Sequence, residues 1–82
     1  VDDEILRQLK NLLREVTPLK ELDLTYADFN VKQAEELIQA LLSNPQSQLI
    51  KLVISGVDPD GLAILRQELL RKKPNFELEI YQ

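Results

Sequence analysis

The sequence contains no cysteine and no histidine. Without cysteine it has no disulfides and no thiolate chemistry, and without histidine it lacks the commonest metal ligand and the commonest general base near neutral pH. No apolar run approaches the length of about 20 residues that crosses a bilayer, and the acidic start Val1-Asp2-Asp3-Glu4 does not resemble a secretion signal. We therefore expect a soluble, cytoplasmic protein that is not an enzyme, needs no cofactor and binds no membrane.

Positive charge is also scarce. The net charge is −4, whereas a nucleic-acid binder normally presents a basic stripe to phosphates. The basic cluster Arg71-Lys72-Lys73 falls in the predicted last turn of a helix, where cations face the negative end of the helix dipole. We expect no nucleic-acid partner.

The composition is otherwise that of a small globular domain. Of the 82 residues, 44% are hydrophobic and 29% are charged, which suits one core and leaves no room for a second. A domain of this size buries only about 60% of the surface that its unfolded chain exposes, so we expect modest stability.

Apolar residues recur at helical spacing in three stretches of the chain. The second stretch follows a capping pair, Asn30 and Gln33, and the third follows Asp58, a good N-cap, with Pro59 at the first helical position. We expect Thr17-Pro18 to stop the first helix, because the residue before a proline is pushed away from the helical region. The spacing predicts helices over about residues 3–15, 31–43 and 59–72.

Between these helices the chain alternates apolar and polar residues, which is the period of a half-buried strand. The predicted strands are "LKELDL" at 19–24, "LIKLVI" at 49–54, and the segment from Phe76 to Tyr81. Because a helix separates consecutive strands, neighbouring strands must pair in parallel through right-handed crossovers. The inward-facing residues are Leu22, Leu24, Leu52, Ile54, Leu78 and Ile80.

The helix-to-strand passage recurs along the chain. Leu-Leu pairs begin at positions 12, 41 and 69, which are 29 and 28 residues apart, and prolines at 18, 45 and 74 are 27 and 29 residues apart. Self-similarity at a period of roughly 20 to 50 residues indicates a solenoid. We divide the single domain into a leading helix (1–18), a first repeat (19–48), a second repeat (49–74) and a final strand (75–82).

The repeated segments resemble leucine-rich repeats of the longer, ribonuclease-inhibitor-like type. "LKELDL" matches the family's L-x-x-L-x-L core through Leu19, Leu22 and Leu24, and "LIKLVI" matches it through Leu49, Leu52 and Ile54. The resemblance implies an α/β fold: a right-handed βα solenoid with three parallel strands in sequential order and three helices on the other side.

The chain departs from the family pattern in two places. Ala27 and Val57 stand where the family usually has Asn or Cys, and Asn75 stands where the first leucine of the last strand belongs. With two and a half units, the chain is similar to a minimal array, a terminal fragment or a designed short form.

The resemblance also implies a binding surface. In the family, the outward side chains of the strands contact protein partners. Glu21, Lys51 and Glu77 should then lie side by side, with Asp23, Val53 and Glu79 in the next row, which suits a basic or amphipathic protein partner. The candidate protein-binding residues are Glu21, Asp23, Thr25, Lys51, Val53, Ser55, Glu77, Glu79 and Tyr81.

Two alternatives remain open. One is a structural or designed scaffold without a partner. The other is a regulatory domain, because "KLVISGVDPDGLAIL" at 51–65 is similar to the segment around the regulatory serine of sulfate-transporter and anti-sigma-factor-antagonist domains, although Pro59 and Asp60 occupy the place of that family's Asp-Ser pair. Strand order separates this domain from a solenoid, since the antagonist fold shuffles its strands and a solenoid keeps them sequential.

Short motifs with known chemistry are incomplete. Asp58, Asp60 and Gly61 are similar to the start of a calcium loop, but the later ligand positions hold apolar residues such as Leu62 and Leu69. Ser55-Gly56 follows a strand without the Gly-Lys-Ser/Thr of a phosphate loop. These residues predict a helix cap and a turn, with no metal and no phosphate cofactor.

The first and third strands should be open sheet edges. Unprotected edges pair with strands of other chains. We therefore expect concentration-dependent self-association.

Overall fold

The structure, a computed structural model, describes residues 2–15 and 18–81. The predicted helix stop at Thr17 lies outside these residues, as do Val1, Val16 and Gln82. In chain order the elements are α1 (Asp3–Arg14), β1 (Glu21–Asp28), α2 (Val31–Leu42), β2 (Lys51–Ser55), a 3₁₀ turn (Pro59–Leu62), α3 (Ala63–Lys72) and β3 (Glu77–Tyr81).

The strands form a small open parallel sheet in the order β1-β2-β3. The parallel direction and the sequential order agree with the prediction. A helix joins each pair of consecutive strands and returns the chain to the end of the sheet where the previous strand began, so the next strand runs in the same direction. Along the register Leu22 lies beside Leu52, and Leu52 lies beside Leu78. The inward rows are thus leucine beside leucine.

One face of the sheet packs against the helices. Leu24, Leu52, Ile54 and Leu78 are at most 4% exposed and join one hydrophobic core with apolar residues of all three helices. In the helix layer α1 packs on α2 and α2 packs on α3. The molecule therefore has two layers, and the other face of the sheet is left without a covering element among residues 2–15 and 18–81.

Strand β1 is longer than predicted. It begins at Glu21 and continues to Asp28, whereas the alternating pattern predicted an end at Leu24. Between Leu24 and Asp28 the register shifts, so that Asp28 rather than Thr25 pairs with Ser55. A bulge of this kind depends on contacts with the neighbouring strand, and for that reason the period of the sequence does not reveal it.

The helix starts follow local capping chemistry. Asp2 accepts a hydrogen bond from the backbone N–H of Ile5 at 2.8 Å, and Asn30 and Gln33 form the predicted capping box. The third start differs, because Asp58 accepts from the N–H of Asp60 and begins a 3₁₀ turn before α3. The region predicted as one helix is therefore a tight turn followed by a helix.

Asn44 fastens two helix ends together. Its side chain is 92% buried, with 8% exposure, and its Nδ2 donates to the carbonyl oxygens of Leu13 at 3.2 Å and Glu15 at 3.1 Å. Its Oδ1 accepts from the N–H of Gln46 at 3.2 Å. Asn44, two residues beyond the end of α2, thus supplies donors to carbonyls at the C-terminal end of α1, where the hydrogen bonds within the helix run out.

Within residues 2–15 and 18–81, none of the helices has both the length and the apolar character needed to cross a membrane.

Candidate functional site

The nine predicted binding residues lie on the face of the sheet opposite the helices. They alternate with the inward leucines along β1, β2 and β3. We call this surface the outward face. The exposed members are Glu21, Asp23, Thr25, Glu77 and Tyr81; the half-buried ones are Lys51, Ser55 and Glu79; and Val53 is buried.

The first row of the outward face is Glu21, Lys51 and Glu77. The register places them side by side as predicted, and the Nζ of Lys51 lies 4.0 Å from the Oε2 of Glu77. At that distance, with Glu77 largely exposed, solvent screening leaves the ion pair worth little in stability. The row therefore presents two carboxylates around one partly neutralised ammonium group.

The second row is Asp23, Val53 and Glu79, also in the predicted register. Val53 is only 6% exposed although it lies outside the buried core cluster, at the centre of the middle strand between Asp23 and Glu79. The depression beside it holds about 120 Å³, which is below the roughly 300 Å³ of a small-molecule pocket. This row suits a broad, shallow contact rather than an enclosed ligand.

Asp23 has a fixed orientation. Its Oδ1 accepts from the backbone N–H of Thr25 at 3.0 Å and from the Thr25 hydroxyl at 2.7 Å. These bonds, the backbone one first, lower the pKa of Asp23 from its ordinary value of 3.8; partial desolvation opposes them, and the charge of Lys51 adds to them. The ionised form of the carboxylate is therefore favoured, and its two hydrogen bonds to Thr25 orient it on the outward face.

The three remaining predicted residues, Thr25, Ser55 and Tyr81, do not form a charged row, and their hydroxyl groups bond within the sheet. The Ser55 hydroxyl lies 3.0 Å from the carbonyl oxygen of Thr25 and 3.1 Å from that of Ala27, to which it donates. Ser55 therefore holds the bulge of β1. At the end of β3, the Tyr81 hydroxyl donates to the Oε2 of Glu79 at 3.3 Å.

The charge of the outward face is strongly unbalanced. Among its nine residues, Glu21, Asp23, Glu77 and Glu79 are acidic and Lys51 is basic, so this face carries most of the molecule's net charge of −4. Such a field attracts cationic partners and repels acidic ones. Within residues 2–15 and 18–81, no three acidic side chains are grouped closely enough to hold a metal ion.

A groove that was not predicted lies at the N-terminal ends of the three strands. It holds about 360 Å³, with Leu49, Ile50 and Phe76 among its lining residues and Lys20 and Lys73 beside them. Lys20 Nζ bonds to Gln48 Oε1 at 3.0 Å and Lys73 Nζ to the Ser47 carbonyl at 3.4 Å. Its residues come from loops that are distant in sequence, so no local pattern marks them.

Comparisons with protein-family models, with curated proteins and with solved structures found no match to this chain.

Proposed function

We propose that the chain is a non-catalytic protein-interaction module that binds a basic or amphipathic protein through the outward face. The observation that carries this proposal is the register. It aligns Asp23 and Glu79 on either side of Val53, and Glu21 and Glu77 on either side of Lys51. An acidic rim around a small apolar centre matches cationic side chains flanking an apolar one.

We further propose that the array is a short solenoid of the leucine-rich-repeat kind. The sequential strand order and the stacked leucine rows support this proposal. The regulatory-domain alternative has less support, because it expects a shuffled order of strands.

A structural scaffold without a partner is the second candidate. Ser55 and Thr25 favour it, since their polar groups are already engaged within the sheet. In this reading the outward charges only keep the sheet hydrated and in register. The two candidates differ in whether a cationic ligand recognises this face more strongly than any other acidic surface.

The test is NMR titration of the ¹⁵N-labelled protein with an amphipathic peptide of lysine and leucine. We expect the largest amide shifts in β1, β2 and β3. The triple variant Asp23→Lys, Lys51→Glu, Glu79→Lys should weaken binding at least about tenfold, because two of its changes reverse the charges on either side of Val53 and the third reverses the central charge of the first row.

The matched control is Glu68→Lys, on the exposed surface of α3. It raises the net charge by the same two units as the triple variant and leaves the outward face intact. Equal affinity of the triple variant and Glu68→Lys would show that only net charge matters, and the scaffold would then be the better description.

A further inference from the structure

The two edges of the sheet are open within the described residues. β1 and β3 each pair with β2 and with no other strand there. Their inward residues Leu22 and Ile80 stay half-buried, whereas Leu52 and Ile54 of the central strand are fully buried. Among the described residues, each edge strand therefore has a neighbouring strand on one side only, and one of its inward residues is less covered than those of β2.

Strand β2 shows what kind of strand such an edge accepts. It carries leucine and isoleucine inward, and its outward Lys51 stands between Glu21 of β1 and Glu77 of β3. Lys51 reaches Glu77 at 4.0 Å, and its charge also acts on Asp23. A basic outward residue thus faces acidic residues on both neighbouring strands.

A second copy of the chain would bring negative charges against negative charges at the edge of the sheet. If the β1 of one copy continued the sheet beside the β3 of another in the same register, Glu21 would lie opposite Glu77, and Asp23 would lie opposite Glu79. Strands in a sheet are about 4.8 Å apart, so these carboxylates would be in direct contact, and like charges directly opposite destabilise a strand pair. Charges of this kind on edge strands are a known protection against edge-to-edge pairing.

We propose that each sheet edge is a docking site for a parallel strand of another protein that has lysine or arginine outward and apolar residues inward, and that the edge carboxylates reject a second copy. This inference is independent of a partner on the outward face. It also changes the expectation from the open edges alone, since self-association is opposed as long as the carboxylates are ionised.

The test converts the acidic β3 edge of the protein itself into a basic edge. The variant Glu77→Lys, Glu79→Lys turns the β3 edge basic, so that it fits the acidic β1 edge of a second molecule. We expect the wild type to remain monomeric at millimolar concentration in sedimentation equilibrium, and the variant to assemble head to tail with at least a roughly twofold rise in average mass.

Net charge is controlled by Glu15→Lys with Glu68→Lys, which alters one exposed acidic residue directly after α1 and one on α3. Both double variants have a net charge of zero, from −4 plus four. Only the β3 variant should assemble. The fourfold variant, with Glu21→Lys and Asp23→Lys added, should return to a monomer because both of its edges are basic.

The docking edge is located by mixing ¹⁵N-labelled wild type with unlabelled Glu77→Lys, Glu79→Lys protein. Amides of β1 in the wild type should shift and exchange more slowly with solvent, while those of β3 should not change. If the β3 variant does not fold, the variant Glu21→Lys, Asp23→Lys is used instead. It makes the β1 edge basic, and that edge should then pair with the acidic β3 edge of a second molecule. Assembly of the net-charge control, a monomeric charge-reversed edge, or shifts on β3 would each overturn the proposal.

Discussion

At the scale of single residues, Asp23 and Thr25 show how a surface charge is fixed by its neighbours. The carboxylate accepts two hydrogen bonds from the residue two positions along the same strand. A local pattern of this kind is visible in the sequence as Asp-Leu-Thr, and the register shift of β1 begins directly after it, between Leu24 and Asp28.

We expect Asp23 to titrate below pH 3.8 in the folded protein, because hydrogen bonds to its ionised form lower its pKa. A pKa that is lower folded than unfolded means that the stabilisation is complete above the unfolded pKa and is lost as the pH falls through the folded pKa. The measurement is a ¹³C carboxyl NMR titration. Thr25→Val should raise the pKa only partly, because the backbone N–H of residue 25 still donates; titration of wild-type Asp23 at or above 3.8 would contradict this account.

Gly56 is required at the turn after β2. Its φ of +84° lies in the left-handed region, and a Cβ there would be 3.1 Å from the Phe29 carbonyl oxygen and 3.2 Å from the Phe29 nitrogen. We expect Gly56→Ala to lower the free energy of unfolding by about 2 kcal/mol, measured by urea denaturation. Gly61→Ala is the control and should cost less, since the atoms nearest to its Cβ belong to the Val31 side chain and not to the backbone.

At the scale of elements, the polar side chains at the ends of the helices make specific hydrogen bonds. Asn44 directly follows the helix predicted over residues 31–43, and its side chain reaches the end of α1. The capping box of Asn30 and Gln33, by contrast, is confirmed as predicted because both partners lie within one turn.

We expect Asn44→Ala to lower the free energy of unfolding by about 2 kcal/mol, because the carbonyls of Leu13 and Glu15 lose a buried donor. Urea denaturation measures the loss, and faster amide exchange in α1 would locate it. Asn11→Ala, at an exposed site on α1, should change stability by less than about 0.5 kcal/mol. Equal effects of the two substitutions would exclude the role assigned to Asn44.

At the scale of the whole molecule, stability depends on the central strand. Leu52 is fully buried, and its register neighbours are Leu22 and Leu78. A domain of this size has about 4 to 12 kcal/mol of total stability, so one core substitution removes a large share.

We expect Leu52→Ala to cost about 3 kcal/mol, and Leu22→Ala, at the half-buried edge, to cost clearly less. Chemical denaturation followed by circular dichroism measures both values. The unfolding should be a single transition, because one core joins the sheet to all three helices. A larger loss for Leu22→Ala than for Leu52→Ala would show that the edge, and not the centre, holds the sheet.

The sequence by itself determined the elements, the buried face of each strand and the parallel direction of the sheet. These properties follow from spacing along the chain: leucines at every second position, caps three residues from their donors, and a helix between consecutive strands. The register of Glu21, Lys51 and Glu77 was also predicted, since the stacked leucines beneath them leave little freedom to slip.

Only the tertiary structure decided the bulge of β1, the internal role of Ser55, the reach of Asn44 and the burial of Val53 on the outward face. Each of these depends on atoms about 30 residues apart in the chain, as in the bonds from Ser55 to Thr25 and Ala27. Side-chain type alone does not reveal which polar group a folded neighbour will satisfy. For the same reason the sequence marked Val53 and Ser55 as outward candidates, and the folded sheet showed that Val53 is buried and that Ser55 bonds within the sheet.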